Sequence, residues 1–178
     1  VLVKYDAAGT AQWARSVTGG TGGSTFNSVA VDSSGNIYAA GYQSFDGTFT
    51  YGSGVTAAGS STTGPNAVLV KYDSLGEAQW AESVSCGVAD MSGFSSVAAD
   101  GSGNVYAAGN QYYAGNYTYG SQTVAGKNGS GPNVVLVKYN SSGTAQWAES
   151  VSVGPDDSLL TSVAADNAGN VYAAGRQI

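Results

Sequence analysis

One stretch of the sequence occurs three times: Ser28-Val-Ala-Val-Asp-Ser-Ser-Gly-Asn-Ile-Tyr-Ala-Ala-Gly41, with close copies at 96–109 and 162–175. Apolar and aromatic residues follow one another within it, so that Ile37 and Tyr38 fall on opposite faces of an extended chain. Because both faces are apolar, we expect strands of a sheet that is covered on both sides. No stretch of the chain carries apolar residues at helical spacing, and no helix is predicted.

A second stretch is repeated at the same interval. Val1-Leu-Val-Lys-Tyr-Asp6 returns as residues 68–73 and, with Asn140 in place of the aspartate, as residues 135–140. Three near-identical copies define a tandem repeat, which we expect to form a single domain. The repeat units are approximately residues 1–67, 68–134 and 135–178.

Short turns separate the predicted strands. Each turn has an Asp or Asn followed three residues later by glycine, as in Asp32-Ser-Ser-Gly-Asn36. The Asp side chain can accept hydrogen bonds from the turn backbone, and glycine tolerates a positive φ. Calcium binding is the alternative, but each turn offers one Asp where calcium usually has several carboxylates, so a structural role is favoured. These turn residues are Asp32, Gly35, Asp100, Gly103, Asp166 and Gly169.

The order of the predicted strands indicates a β-propeller. Successive repeats supply four-stranded antiparallel units, and such units with both faces buried are typical of propeller blades. The chain holds about three blades' worth of strands. The repeat is longer than that of most propellers because segments 44–66 and 112–133 each contain an additional predicted hairpin. We therefore predict an all-β propeller with β-hairpins inserted between the second and third strands of its blades.

Composition excludes several classes of function. Six Lys and Arg against twelve Asp and Glu give a formal net charge of −6, which argues against a nucleic-acid partner. The absence of histidine excludes Ser-His-Asp triads and histidine-ligated zinc, and the single cysteine excludes an internal disulfide. No apolar run is long enough to span a membrane. The repeats show no nucleophile–base pair or metal constellation, so we expect no enzyme, no metal and no cofactor.

The repeat units resemble the bacterial β-propeller repeat family known as SBBP. The resemblance covers essentially the whole chain and rests on Ser-Val-Ala-x-Asp-x-x-Gly-Asn-Val-Tyr-x-x-Gly, a Tyr-Gly-containing insert, and Val-Leu-Val-Lys-Tyr-Asp-x-x-Gly-x-x-x-Trp. It implies a secreted or surface-attached bacterial protein with no common catalytic activity. The shorter pattern Asp6-x-x-Gly9-x-x-x-Trp13 is similar to the tryptophan-docking motif of quinoprotein propellers, although the third copy has Asn140 for the Asp. That similarity concerns blade packing and implies no quinone cofactor.

Aromatic residues that recur at the repeat interval are predicted to pack between blades. Stacking of the tryptophans on a sugar or a base is the alternative, but their strict recurrence inside one predicted strand favours packing. The predicted packing residues are Trp13, Trp80, Trp147, Tyr5, Tyr72 and Tyr139.

The segments that differ between copies are predicted to emerge together on one face of the repeat array. They combine Tyr with Ser, Gly and Asn, a composition typical of adaptable binding surfaces. Neutral drift of surface loops explains the same variation equally well. The acidic pair 156–157 occurs once, which is more typical of a solvated loop than of a catalytic pair. The candidate ligand-binding residues are Tyr51, Tyr112, Tyr113, Tyr117, Tyr119, Asp156 and Asp157.

Three blades do not close a propeller, which needs at least about four. The first and last predicted strands each lack a neighbour, and their open edges match. We expect the partner to be a second copy of the chain, in a closed ring or a filament, or the remaining blades of a longer chain. Two functions follow from the sequence. One is a non-catalytic extracellular module for binding or adhesion to a glycan, peptide or protein, and the other is a structural protein that self-assembles by edge pairing.

Overall fold

The computed structural model describes residues 1–150 and 157–177, and in this part of the chain the fold is all-β. The described residues form 17 strands and no helix, and accordingly none long and apolar enough to cross a membrane. The strands, numbered along the chain, are β1 (Leu2–Tyr5), β2 (Ala11–Arg15), β3 (Thr18–Gly19), β4 (Ser24–Val31), β5 (Ile37–Ser44), β6 (Gly47–Gly52), β7 (Val55–Gly59), β8 (Pro65–Tyr72), β9 (Ala78–Ser85), β10 (Ser92–Ala99), β11 (Val105–Tyr112), β12 (Asn116–Tyr119), β13 (Gln122–Ala125), β14 (Pro132–Tyr139), β15 (Ala145–Ser150), β16 (Ser158–Ala165) and β17 (Val171–Gln177).

Two four-stranded antiparallel meanders form the centre of the molecule. Sheet 1 has the order β4-β5-β8-β9, and sheet 2 has the order β10-β11-β14-β15. Each combines strands from two successive repeats, as the sequence predicts. The same register recurs in both, since Ile37 pairs with Tyr72 in sheet 1 and Val105 pairs with Tyr139 in sheet 2. The chain begins with half a sheet, β1-β2, and the described residues end with another half, β16-β17.

Antiparallel pairing sorts the connections onto two ends of the sheets. The turns between β4 and β5 and between β8 and β9 lie at one end, which we call the constant end because all copies carry the same turn. The connections from β5 to β8 and from β9 to β10 lie at the opposite end, which we call the insert end. This distribution follows from the meander order alone.

The first strand of each sheet begins four residues before the repeated stretch, as in β4, which begins at Ser24, whereas the stretch begins at Ser28. In β4 a β-bulge between Phe26 and Ser28 interrupts the two-residue alternation that marks the rest of the strand. Similar bulges occur in β10 and β16. The bulge explains the glycine that ends each repeated stretch, because a Cβ atom on Gly41 would overlap the carbonyl oxygen of Thr25 on the bulged strand.

The predicted inserted hairpins are present, and each pairs with a strand outside the four-stranded meander from which it emerges. The hairpin β12-β13 follows sheet 2's second strand but pairs with β9, the last strand of sheet 1. The hairpin β6-β7 likewise pairs with β3, which follows the half-sheet β1-β2. The hairpin β12-β13 therefore extends sheet 1 to six strands, whereas β6-β7 forms a separate three-stranded sheet with β3.

The sheets pack face to face through small and aromatic side chains. Strand β10 contacts β4, β5 and β8 of sheet 1, and β16 contacts β10, β11 and β14 of sheet 2. The main core lies between sheets 1 and 2 and contains Tyr38, Leu69, Val97, Val105 and Tyr139 among others. Two hydrogen bonds between first strands fix the stacking: Val97 N donates to Ser28 Oγ at 3.2 Å, and Val163 N donates to Ser96 Oγ at 3.1 Å.

One predicted packing residue is not buried. Tyr72 and Tyr139 are 1% and 2% exposed, but Tyr5, at the same position in the first repeat, is 61% exposed. Within the described residues Tyr5 therefore does not pack between sheets, and its packing role stays a prediction. The strands that carry Tyr72 and Tyr139 pair on both edges, whereas β1 pairs with β2 alone in the part of the chain that the structure describes.

Candidate functional site

The aspartates of the constant end organise their own turns. Asp32 Oδ1 accepts hydrogen bonds from the backbone N–H groups of Ser34 and Asn36 at 2.9 and 3.0 Å. Its Oδ2 accepts from Asn36 Nδ2 at 2.8 Å and from the Tyr38 hydroxyl at 3.0 Å. Gly35 has a φ of 80°, which glycine adopts without a Cβ clash. Asp100 with Gly103 forms an equivalent turn, and Asp166 with Gly169 forms one that lacks only the tyrosine bond.

Hydrogen bonding keeps these carboxylates ionised. Burial raises the pKa of Asp100, but hydrogen bonds from Asn104, Tyr106 and Ser102 outweigh it, and the pKa lies below its ordinary value. Burial, together with the bond to Asp100, raises the pKa of Tyr106 to about 12. Both oxygens of each turn carboxylate are thus engaged within the turn. Over residues 1–150 and 157–177, no group of three or more Asp, Glu, Cys or His residues has a geometry that could hold a metal ion.

Two tryptophans, Trp13 and Trp80, each connect one sheet to the next. Trp80 Nε1 of sheet 1 donates to the carbonyl of Ser141 in sheet 2 at 3.2 Å, and its ring lies against Gly143. Trp13 makes the same contacts with the carbonyl of Ser74, at 3.4 Å, and with the glycine of that turn. Trp147 packs against Tyr106 within its own sheet, with ring centroids 6.2 Å apart.

Three of the candidate ligand-binding tyrosines lie in the core. Tyr51 and Tyr117 are 0% exposed and Tyr119 is 1% exposed, so the prediction that they contact a ligand is wrong. The physical reason is that one face of each inserted hairpin packs into the hydrophobic core between the sheets. The Tyr51 hydroxyl donates to Gln43 Oε1 at 2.6 Å, and the Tyr119 hydroxyl donates to Gln111 Oε1 at 3.3 Å.

The other candidates lie at the insert end. Tyr112 is half-buried and Tyr113 is 37% exposed, and their ring centroids are 6.1 Å apart. Asp157 Oδ1 accepts a hydrogen bond from Asn128 Nδ2 at 2.7 Å, which links the residue before β16 to the connection between β13 and β14. Asp156 lies outside the described residues.

A groove runs between sheets 1 and 2 at the insert end. Its volume is about 180 Å³, and we call it the inter-sheet groove. Aromatic, amide and hydroxyl side chains line it, namely Asn27, Tyr42, Ser95, Asn110 and Tyr112. The Asn27 side chain fixes one wall, because its Nδ2 donates to the carbonyl of Phe94 at 2.8 Å. Such a lining offers a ring to stack on and polar groups to hydrogen-bond.

The structure adds two aromatic residues to the candidate site that were not identified from the sequence. One is Tyr42 in the groove. The other is Phe45, which occupies the position of Tyr113 one repeat earlier; the two have φ values of 68° and 71°. Both lie in a backbone region that is uncommon for large side chains. Their carbonyls each accept a hydrogen bond at 3.1 Å from a buried asparagine side chain, Asn66 or Asn133. The signal in the sequence was an aromatic residue at the same position of two successive repeats.

The fold defines the chain as an all-β tandem-repeat protein built from stacked antiparallel sheets. Comparison with known proteins narrows this no further, because no protein family matches the chain and no curated protein is detectably similar to it. Function must therefore be argued from the geometry.

Proposed function

We propose that the chain is a bacterial β-propeller repeat module of the SBBP type, with sheets 1 and 2 as complete blades. Four-stranded antiparallel meanders that stack face to face support this architecture. So does the succession of first strands, since β4 contacts β10 and β10 contacts β16, as strands around a common axis would. Docking of Trp13 and Trp80 onto the next sheet supplies the connection expected between blades.

The module acts without catalysis, by binding a glycan or a peptide at its insert end, outside the cell or on its surface. The inter-sheet groove carries this proposal. Tyr42 and Tyr112 give it aromatic surface, while Asn110 and Ser95 give it hydrogen-bonding groups. Tyrosine combined with short polar residues makes large contacts at a small cost in side-chain entropy.

The size of the groove limits the ligand. Pockets that enclose drug-sized molecules measure roughly 300–1,000 Å³, whereas the inter-sheet groove has about 180 Å³. It holds one sugar ring or one side chain at a time, and the exposed Tyr113 beside it extends the contact surface. A chain-like ligand that crosses the insert end therefore fits better than a compact cofactor.

Binding to glycan and peptide arrays, followed by calorimetry on the hits, tests the proposal. Replacing Tyr112 or Tyr113 by Ala should weaken binding about tenfold or more, because burying an aromatic ring contributes about 1.5–3 kcal/mol. Leu75→Ala is the matched control, since Leu75 is 71% exposed at the constant end. A wild-type chain that binds nothing on either array, or tyrosine variants that bind as tightly as wild type, would refute the proposal.

A further inference from the structure

One glycine on the sheet 2 wall keeps the inter-sheet groove open. Gly93 lies in β10, lines the groove and pairs with Asn110 of β11. A Cβ atom on Gly93 would lie 3.8 Å from Cβ and Cδ1 of Tyr42 on the opposite wall, which is ordinary van der Waals contact. A larger side chain at this position would extend along the Tyr42 ring. Glycine therefore leaves that ring accessible from the groove.

The next first strand carries a large apolar residue at the same position. The register of β16 with β17 matches that of β10 with β11, and it makes Leu159 the equivalent of Gly93. The shared register places the Leu159 side chain on the corresponding side of its strand. In β4 the equivalent residue is Thr25. The opening above Tyr42 is therefore not imposed by the repeat, because glycine at this position belongs to sheet 2.

The lining of the groove is uncharged. None of the described residues that line it is Asp, Glu, Lys or Arg, although the chain has a formal net charge of −6. A charged group that entered the groove would lose water without gaining an opposite charge, which is strongly unfavourable. The groove is therefore suited to a neutral ligand.

The polar groups of the groove match the hydroxyl groups of a sugar. Ser95 and Asn110 supply a hydroxyl and an amide, which both donate and accept hydrogen bonds. Asn27 donates through Nδ2 to the carbonyl of Phe94, which leaves its Oδ1 as an acceptor. Sugar hydroxyls also donate and accept, and they surround a ring whose face presents C–H groups. The accessible ring of Tyr42 is an apolar surface on which that face can pack.

Strand addition by a peptide is disfavoured at the same place. A peptide that extends a sheet needs the free backbone groups of an edge strand. β10 is the edge strand of sheet 2, but its Phe94 carbonyl already accepts a hydrogen bond from Asn27 of sheet 1. The N–H of Val97 in β10 is likewise bonded to Ser28 Oγ. Side chains of sheet 1 thus occupy backbone groups that an added strand would require.

We propose that the inter-sheet groove binds one uncharged sugar unit of a glycan, and that Gly93 is the residue that admits it. This assignment rests on the proposed binding function of the insert end and narrows it to one ligand class. The sugar ring packs on Tyr42, and its hydroxyls form hydrogen bonds with Ser95, Asn110 and Asn27 Oδ1.

Saturation-transfer difference NMR and calorimetry test the ligand class. The neutral probes are methyl glycosides of the common hexoses, 6-deoxyhexoses and N-acetylhexosamines. The charged probes are the corresponding uronic acids and 2-amino sugars, which keep the ring and add a charge. An uncharged, capped tetrapeptide of Ser, Tyr, Pro and Gly represents a peptide ligand. We expect a neutral glycoside to bind and its charged analogues to bind about tenfold more weakly or worse.

Gly93→Leu tests where the sugar binds. The leucine copies the third repeat and should fill the groove, so that glycoside binding falls about tenfold or more. The circular dichroism spectrum should not change, because the φ of Gly93 lies outside the left-handed region and its Cβ has room. Gly23→Leu is the matched control and should bind as wild type does. A Cβ atom on Gly23 would meet nothing within 4 Å, and Gly23 does not line the groove.

Tyr42→Ala tests the opposite wall independently of Gly93. It removes the surface on which the sugar packs, and glycoside binding should again fall about tenfold or more, because burying an aromatic ring contributes about 1.5–3 kcal/mol. The half-buried position of Tyr42 makes the variant compatible with folding.

Four results would overturn the sugar site. Charged sugars that bind as tightly as neutral ones would contradict an uncharged groove. Binding of peptides alone would contradict a sugar ligand but leave the proposed binding function standing. A folded Gly93→Leu variant that binds a glycoside as tightly as wild type, while Tyr113→Ala weakens binding, would locate the ligand outside the groove. A chain that binds neither these probes nor any array ligand would refute both proposals.

Discussion

The buried turn of sheet 2 offers a sharp test of how the repeat is stabilised. Asp100 is 5% exposed, and its carboxylate accepts four hydrogen bonds. Oδ1 takes the N–H groups of Ser102 and Asn104, and Oδ2 takes Asn104 Nδ2 at 2.8 Å and the Tyr106 hydroxyl at 3.0 Å. In Asp100→Asn the amide carbonyl can keep the first pair. The amide nitrogen, however, faces another donor, Asn104 Nδ2. It also cannot accept the hydrogen bond that the buried Tyr106 hydroxyl donates to Asp100.

The expected cost follows from those two lost bonds. A hydrogen bond to a charged group contributes about 1.5–3 kcal/mol. Some of the loss is recovered when Asn104 rotates, so we expect Asp100→Asn to lower the free energy of unfolding by about 2–4 kcal/mol. Urea unfolding followed by circular dichroism, at one fixed protein concentration, measures the difference.

The other hairpin turn of the repeat, between the third and fourth strands of each sheet, provides a control for this substitution. In the third repeat Asn140 replaces the turn aspartate, and its Oδ1 still accepts from the N–H groups of Ser142 and Thr144. In the second repeat Asp73 Oδ2 accepts only from the exposed side chain of Gln79, at 3.1 Å. Asp73→Asn should therefore cost about 0.5 kcal/mol or less. Equal losses of stability in Asp100→Asn and Asp73→Asn would refute the reasoning.

The same carboxylate has a defined pH dependence. The pKa of Asp100 in the folded chain lies below its ordinary value of 3.8. A lowered pKa stabilises the fold at every pH above that ordinary value, and the stabilisation is lost as the pH falls through the folded pKa. The difference in stability between wild type and Asp100→Asn should therefore be constant near neutrality and shrink below about pH 4. A difference that stays constant down to pH 2 would contradict this account.

Three further substitutions probe the packing, each measured by urea unfolding. Gly109→Ala should cost more than about 2 kcal/mol, because its Cβ would overlap the carbonyl oxygen of Gly93 across the bulge. Asn133→Ala leaves two backbone N–H groups of the second insert without their acceptor, at about 1–3 kcal/mol each. Trp80→Ala removes the docking ring and its bond to Ser141, and should cost about 2–4 kcal/mol. Losses below 0.5 kcal/mol in these variants would contradict the packing roles assigned to them.

The repeat and its turns allowed most of the fold to be predicted from the sequence. The all-β class, the hairpin turns, the division of strands between successive repeats and the two inserted hairpins are all confirmed. The early start of β4 was missed because its bulge shifts the alternation by one residue after Phe26. A period-two pattern detects a strand only while the strand stays regular, so the segment before a bulge resembles a loop.

The candidate site was harder to predict because composition and periodicity disagreed within the inserts. Tyr, Ser, Asn and Thr suggest a binding loop, and this argument included Tyr117 and Tyr119. Those two residues are separated by Thr118, so they share one face of β12, and that face is buried. The alternation was visible in the sequence. The sequence did not show the partner strand β9, which lies earlier in the chain and belongs to sheet 1, and the pairing with β9 determines which face of β12 is buried.

Burial of the hairpins also limits the positions at which sequence differences between repeats can alter ligand binding. A residue such as Tyr119, packed between sheets, cannot be exchanged freely without opening a cavity. Phe45 and Tyr113 lie just before the hairpins, where the backbone carbonyl is held by a buried asparagine and the side chain remains exposed. An anchored backbone with an exposed ring permits substitution at low cost to the core. If the insert end recognises a ligand, these two positions are therefore where specificity can differ between repeats while Asn66 and Asn133 keep the same loop geometry.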